Sequence, residues 1–181
     1  MIRSATPADV PVIHAMVREL AEYERELEQA EATEEQLHEA LFGEDPAVYA
    51  LIAESDDPGE AGPGAGGEVV GFALWFRNFS TWTGTQGVYL EDLYVRPHAR
   101  GASHGKALLA ALARICVDRG YRRFEWSVLD WNEPSIAFYA SIGAQPMDGW
   151  TVQRLQGEPL QTLAALAHSD ENPNKAIALS I

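Results

Sequence analysis

Cysteine, basic residues and long apolar runs are scarce in this chain of 181 residues. Cys116 is the single cysteine, which excludes a disulfide framework and a cysteine-based zinc site. Because 13 Lys and Arg face 27 Asp and Glu without forming a basic stripe, the composition argues against a nucleic-acid partner. No apolar run approaches the length of a membrane span, so no membrane partner is expected.

The start of the chain also lacks a secretion signal, because a helix start follows residues 1–4 directly. We therefore expect a cytoplasmic protein. The formal net charge of −14 has two interpretations, since it either keeps the protein in solution or attracts a cationic substrate. Composition alone leaves both open.

Length and composition fit one folded unit, since 46% hydrophobic residues are enough to fill a core. No internal repeat and no linker between two domains is present in the sequence. We expect a single domain over residues 1–167. A C-terminal tail over residues 168–181 is expected to be disordered or to pack on a partner subunit.

Strand and helix patterns alternate along the chain, which is typical of an α/β protein. A short strand begins at Ile2, and cap signals at Thr6 and Thr33 mark two helix starts. The predicted helices span residues 6–26, 33–42, 103–119 and 132–143, and the predicted strands residues 48–53, 69–76, 88–95, 121–129 and 150–155. Residues 55–67 form a predicted hairpin loop and residues 78–87 a predicted turn region. From residue 88 the alternation implies parallel strands with a right-handed crossover.

Two adjacent carboxylates, Glu91 and Asp92, lie in a strand whose other members have the character of a doubly buried strand. Because neighbouring strand residues point to opposite faces, at least one of the two must face a core or a cleft. A carboxylate at a cleft edge accepts a proton directly or through a water. The alternative for Glu91 is a structural carboxylate paired with Arg96 or Arg100.

The loop over residues 100–105 places small residues immediately before a helix. Free N–H groups and the helix dipole favour an anion at such a position. The spacing matches neither the dinucleotide fingerprint nor the Walker loop, and an ordinary turn is the alternative.

Tyr139 is a third candidate for chemistry, because a phenol with an ordinary pKa of about 10 acts as a proton donor. Ile136 and Ile142 share helical spacing with it. A core aromatic residue with a satisfied hydroxyl is therefore the alternative.

Four stretches in fixed order change this balance, namely Leu90-Glu91-Asp92, Arg100-Gly101 with Gly105, residues 131–135 and Phe138-Tyr139 followed by Gly143-Ala144. Together they resemble the acetyl-CoA-dependent GCN5-related N-acetyltransferases, and most of all the spermidine/spermine (diamine) and thialysine acetyltransferase group. The likeness covers residues 2–165, including residues 19–24 and Gly149-Trp150, and is most specific over residues 131–139.

This resemblance implies a strongly twisted mixed sheet flanked by helices, whose central parallel strands splay apart to admit the pantetheine arm of acetyl-CoA. Neither a metal nor any other cofactor is implied. The positions that match cofactor-binding residues are Leu93, Tyr94, Val95, Arg100, Gly101, Ala102, Ser103, His104, Gly105, Lys106, Trp126, Ser127, Asn132 and Ser135.

The resemblance also implies the reaction, which is acetyl transfer to a primary amine of a small cationic metabolite, either a polyamine or diamine or a thialysine-like amino acid. Glu91, through water, would deprotonate the amine, and Tyr139 would protonate the departing thiolate. The positions that match substrate-binding residues are Tyr23, Glu24, Glu91, Asp92 and Asp148.

Alternatives within the same fold are an aminoglycoside or protein N-terminus as acceptor, and a non-catalytic module that binds acyl-CoA to regulate a partner. A homodimer is expected from the resemblance. Two departures from the family pattern stand out, since Ser103 replaces a usual glycine and Asp148 is shorter than the usual glutamate. The first is expected to alter cofactor binding, and the second to affect polyamine preference.

Overall fold

The structure is a computed structural model that describes residues 1–55 and 67–168. Most of the predicted loop over residues 55–67, and of the tail over residues 168–181, lies outside these described residues. The chain forms two compact units, one spanning Met1–Leu129 and one beginning at Asp130. The single domain over residues 1–167 stays a prediction.

The first unit is built on a five-stranded sheet whose spatial order equals the chain order. Its strands are β1 (Ile2–Ser4), β2 (Tyr49–Glu54), β3 (Val69–Ser80), β4 (Thr85–Val95) and β5 (Phe124–Trp126). The first four strands pair antiparallel, whereas β4 and β5 are parallel. The predicted α/β class with a mixed sheet is therefore confirmed.

Three helices accompany this sheet, namely α1 (Val10–Tyr23), α2 (Glu34–Phe42) and α3 (His104–Asp118). Apolar residues of α1 and α2 pack with Ile52, Phe72 and Tyr94 in one buried cluster that includes Ile13 and Met16. The α3 stripe is buried at Leu108, Leu109, Leu112 and Cys116. None of the helices in the described part of the chain is both long and apolar enough to cross a membrane.

The start of α2 follows the capping signal of the sequence, whereas the end of α1 does not follow the predicted bound. Thr33 Oγ1 accepts a hydrogen bond from Gln36 N at 3.2 Å, and Gln36 Oε1 accepts one from Thr33 N at 2.9 Å, which closes a capping box at the start of α2. A 3-10 turn at Pro7–Asp9 precedes α1. The predicted end of α1 at residue 26 is wrong, because the helix stops at Tyr23 and Arg25 adopts a left-handed conformation with φ of 65°.

A charged cluster fixes the start of the sheet to the turn before α1. Arg3 donates to both carboxylate oxygens of Asp9 at 2.7 and 2.8 Å, and its Nε donates to Glu54 Oε1 at 2.6 Å. The hydrogen bond and charge of Arg3 lower the pKa of Asp9 to about 2, against the opposing effect of burial. Asp9 therefore acts as a buried counter-charge to Arg3, and it also caps the start of the helix, because Thr6 N donates to its Oδ2 at 2.7 Å.

Three predicted stretches differ from the structure. The predicted turn region over residues 78–87 is wrong, because pairs such as Asn78 with Gly87 and Ser80 with Thr85 extend the β3–β4 ladder and leave four residues for the turn. The predicted strand over residues 121–129 is paired only as β5. Residues 150–155 form no strand and are exposed, since within the described chain no strand offers them ladder partners.

The second unit contains α4 (Glu133–Ser141) and α5 (Gly157–Ala165). The cap predicted for α4 is present, because Asn132 Oδ1 accepts a hydrogen bond from Ser135 N at 3.3 Å and Pro134 lies in the first turn. Gly143 follows the helix with φ of 90°, the left-handed conformation that favours glycine. The sequence patterns did not predict α5.

Candidate functional site

A β-bulge interrupts the pairing of β3 with β4 beside the two carboxylates. Leu74 lies opposite Asp92 and Trp75 lies opposite Leu90, so Glu91 is the extra residue of β4. A bulge leaves its extra residue out of the ladder and redirects the neighbouring side chains. Glu91 is exposed, whereas Asp92 is half-buried.

Burial, together with the charges of Glu91 and Glu24, raises the pKa of Asp92 to about 6. Burial also raises the pKa of Glu24, which follows the last residue of α1. Neighbouring carboxylates repel one another, and they lose that repulsion when a cation lies between them. We call Glu24, Glu91 and Asp92 the acidic surface.

The edge of β4 opens directly beyond the bulge. Pairing of β4 with β5 covers three positions and stops at Leu90 with Trp126. Among the described residues, no strand continues along β4 past this point. Arg96 N donates to Val70 O at 2.9 Å, and the alternation of an antiparallel ladder then turns the backbone groups of Leu93 and Val95 toward the open edge. By the same alternation, the backbone groups of Tyr94 face β3.

The loop before α3 supplies a second set of backbone donors. The first helical hydrogen bond runs from Ala107 N to Ser103 O at 2.9 Å, so the N–H groups of the preceding helical residues have no partner inside the helix. These are the N–H groups of His104, Gly105 and Lys106. Their position at the positive end of the helix dipole suits an anion.

Two loop residues adopt left-handed conformations. Gly101 has φ of 86°, and a Cβ placed on it would meet no atom within 4 Å, so the conformation rather than space favours glycine there. Ser103 has φ of 67° without being glycine. The departure from the family pattern at this position therefore costs backbone strain.

Arg100 reaches back from this loop over two tyrosines. Its Nε donates to Val95 O at 2.9 Å, and its Cζ lies 5.3 Å from the ring centroid of Tyr23 and 5.8 Å from that of Tyr94. Arg96 instead pairs with Glu19, with Nη2 and Oε1 2.9 Å apart. In the described chain, neither arginine forms the ion pair with Glu91 that the structural alternative required.

The end of β5 lies where its pairing with β4 stops. The hydroxyl groups of Tyr89 and Ser127 form a hydrogen bond of 2.9 Å. The Trp126 ring packs edge-on against the ring of Phe124, with 4.9 Å between the ring centroids. Ser127 is exposed and Trp126 half-buried. These contacts hold both residues at the point where β4 and β5 part.

In the second unit, α4 and the turn after it carry the remaining predicted residues. Asn132 is buried as the cap of α4, and Ser135 lies in its first turn. Tyr139 is half-buried, with its ring 5.4 Å from that of Phe138. Asp148 is exposed in a turn that Trp150 N closes by donating to Met147 O at 3.0 Å.

Sequence reasoning missed the partners of Tyr94. Burial raises the pKa of the Tyr94 phenol, and the neighbouring Glu19 carboxylate raises it further. Glu19 also binds Arg96. The available signal was helical spacing, because Glu19 lies four residues before Tyr23 and so shares its face of α1.

This geometry agrees with what comparison with known proteins finds. Residues 13–144 match the model of the acetyltransferase (GNAT) family. The chain belongs to this family. A thialysine N-epsilon-acetyltransferase of Sus scrofa is 39% identical over 168 residues, which cover 91% of this chain and 96% of that protein.

Two further proteins similar to this GNAT acetyltransferase extend the comparison. The L-ornithine N5-acetyltransferase NATA1 of Arabidopsis thaliana is 34% identical over 200 residues, covering 91% of this chain and 88% of that protein. An integron cassette protein from the mobile metagenome of V. cholerae has a solved structure with a TM-score of 0.72 and 27% identity, covering 91% of this chain and 96% of that one. The predicted fold and the predicted N-acetyltransferase activity are thereby confirmed.

Proposed function

We propose that this GNAT acetyltransferase transfers the acetyl group of acetyl-CoA to a primary amine of a small cationic metabolite. The observation that carries the proposal is the acidic surface at the place where β4 loses its strand neighbour. The relatives named for thialysine and L-ornithine support an amino acid with a side-chain amine as the first candidate. Polyamines and diamines are the second, and Asp148, shorter than the usual glutamate, speaks against them.

The open edge of β4 and the loop before α3 fit acetyl-CoA, which supplies an activated acetyl thioester when bound. The backbone groups of Leu93 and the N–H of Val95 are available to an extended amide-bearing arm such as pantetheine, whereas Val95 O already accepts from Arg100 Nε. The free N–H groups at the start of α3 suit a pyrophosphate. By resemblance to the family, Trp126, Ser127, Asn132 and Ser135 are also proposed as cofactor-binding residues. The proposal involves no metal.

An amine acceptor arrives as a cation, because the pKa of a lysine-like amine is about 10.4. The acidic surface binds that charge, and Tyr23 beside Glu24 is proposed to contact the acceptor. The ammonium must lose a proton before its nitrogen attacks. Glu91 is exposed at the bulge, where a water can carry the proton to it, so we assign it as the base. Tyr139 is assigned to protonate the departing thiolate.

Free-thiol release from acetyl-CoA tests this proposal. The purified protein is assayed against thialysine, ornithine, lysine, spermidine, putrescine and an aminoglycoside. Release with thialysine or ornithine and little with polyamines is the expected result. Release confined to polyamines moves the substrate class to the second candidate, and release with the aminoglycoside alone rejects a small cationic metabolite. Tight acetyl-CoA binding without release for any amine favours a regulatory binding module.

A homodimer is part of the proposal. The exposed Leu160 and Leu163 on α5 support it, since adjacent exposed leucines on one helix are typical of a contact surface. Size-exclusion chromatography with light scattering is expected to give twice the chain mass, and a purely monomeric peak at micromolar concentration rejects the dimer. The cytoplasmic location stays a prediction.

A further inference from the structure

A charged network joins the end of α1 to the end of β4. The Glu19 carboxylate accepts from Arg96 Nη2 at 2.9 Å and from Arg96 Nε at 3.2 Å. Glu19 is also a neighbour of Tyr94, whose phenol pKa is raised by burial and by the Glu19 charge. One carboxylate on α1 thus binds Arg96, the residue that follows β4, and neighbours Tyr94 near the end of that strand.

Arg96 is held from a second direction as well. Its Nη1 donates to Val69 O at 3.3 Å and lies 3.6 Å from Glu68 Oε1. The Arg96 and Glu19 side chains are 22% and 34% exposed, so their pair is partly shielded from water. A two-point, partly buried arginine–carboxylate pair fixes geometry more firmly than an exposed single contact does.

The network continues to residues proposed to bind the acceptor and to residues proposed to bind the cofactor. Tyr94 lies under Arg100, whose guanidinium also covers the ring of Tyr23. The Nε of Arg100 binds Val95 O. The contacts therefore connect Tyr23, beside the acidic surface, with Val95 and the loop over residues 100–106.

We propose that Glu19 and Arg96 are positioning residues that couple the acceptor-facing end of α1 to the cofactor-facing end of β4. The identity of the two ligands rests on the proposed function, whereas the coupling itself rests on the contacts above. Fixing the loop with CoA orders Arg100 and the tyrosines beneath it, so acceptor binding then costs less ordering. By linkage, the acceptor strengthens CoA binding by the same factor.

Isothermal titration calorimetry measures this coupling without turnover, because CoA carries no acetyl group. CoA is titrated alone, and thialysine is titrated in the absence and presence of saturating CoA. We expect CoA to tighten thialysine binding about fivefold or more in the natural protein, within the usual range of coupling. In Arg96→Met and Glu19→Gln, the factor falls to about twofold or less, and CoA binding weakens several-fold.

The chain offers a matched control. Arg114 Nε binds Asp118 Oδ2 at 2.8 Å on the exposed face of α3, so Arg114→Met removes the same kind of ion pair elsewhere. It is expected to change neither CoA affinity nor the coupling factor. Arg96→Lys retains the charge but loses the two-point geometry, and is expected to restore only part of the coupling. Melting temperatures for every variant separate weakened binding from loss of fold.

Each outcome decides the inference separately from the proposed function. Unchanged CoA affinity in folded Arg96→Met and Glu19→Gln overturns it, whatever the amine panel shows. So does a coupling factor equal to that of the Arg114→Met control. If no amine binds or releases thiol while both variants lose CoA affinity, the positioning role stands at the cofactor end and the proposed acceptor is rejected.

Discussion

Asp92 lies directly opposite Leu74 in the sheet, one residue beyond the bulge at Glu91. This register places a carboxylate on the same face as a core leucine that is 6% exposed. The fold thus keeps a charge where an apolar residue would be more stable. Such a sacrifice of stability is typical of binding and catalytic sites.

Asp92→Asn is expected to stabilise the protein at neutral pH and to weaken acceptor binding. The raised pKa of Asp92, about 6 against 3.8, means that ionisation opposes folding. The penalty is absent below pH 4, grows as the pH rises toward 6 and then stays constant, reaching about 3 kcal/mol. Urea unfolding at pH 4 and pH 7.5 measures it. A gain that is equal at both pH values contradicts the assigned burial.

Asp9→Asn is expected to have the opposite effect. Because Arg3 lowers the pKa of Asp9 to about 2, this carboxylate stabilises the fold above pH 4 and loses that effect as the pH falls toward 2. Removing one partner of a largely buried pair costs about 3 kcal/mol. Urea unfolding at pH 7 measures the loss, with Asp118→Asn on the exposed pair of α3 as a near-neutral control. Equal effects of the two variants refute the role of Asp9.

Ser103→Gly is expected to raise stability by about 0.5–1 kcal/mol, because a serine with φ of 67° carries strain that glycine lacks. Ser141 offers a control, since it ends a regular helix and Ser141→Gly should lower stability. Thermal unfolding compares the two variants. Acetyl-CoA affinity should be retained or improved in Ser103→Gly, and weaker binding would show that the hydroxyl itself contacts the cofactor.

Tyr139→Phe is expected to lower turnover while acetyl-CoA affinity stays nearly unchanged, because only the proton donor is removed. Steady-state kinetics with thialysine and calorimetry with CoA measure the two quantities. Tyr121→Phe is the matched control, since its hydroxyl donates to Gln86 at 2.7 Å within the first unit. Turnover equal to that of the natural protein would remove Tyr139 from its assigned role.

Glu91→Gln is expected to slow acetyl transfer most strongly at low pH, where the acceptor is almost entirely an ammonium. Near pH 10 the free amine is abundant, so the kcat/KM values of the variant and the natural protein should become similar. The ratio of their kcat/KM values between pH 6 and pH 10 tests the base, with Glu44→Gln as the control, since Glu44 is an exposed residue between α2 and β2. A ratio that is independent of pH speaks against proton transfer by Glu91.

Local signals predicted the bounds of α2 and the end of α3. The capping box at Thr33 and the glycine at Gly43 give α2 its observed bounds, and Gly120 follows α3 with φ of 67°, as a helix-ending glycine does. These features depend on a few adjacent residues and their backbone conformations. Sequence is sufficient where the deciding contacts are local.

Long-range pairing was predicted less well. Asn78 and Ser80 have turn-like character, yet their partners Gly87 and Thr85 complete the ladder across the sheet. The Glu19–Arg96 pair joins residues that are 77 positions apart, which no local pattern reveals. For the candidate site, the motif residues were named in advance, whereas the bulge and the contacts that orient them required the fold.

The bulge at Glu91 also shifts the alternation of side chains between the two faces of β4. Under strict alternation, Leu90, Asp92 and Tyr94 would share one face of the sheet. Their cross-strand partners show otherwise, because Leu90 lies opposite Trp75 whereas Asp92 and Tyr94 lie opposite Leu74 and Phe72. One added residue therefore moves Asp92 away from the face of Leu90 and toward the α1 side, where Glu24 follows the last residue of that helix. Deleting that residue would move every later side chain of β4 to the opposite face of the sheet. The chemistry of this site therefore depends on the number of residues in the strand as much as on their type.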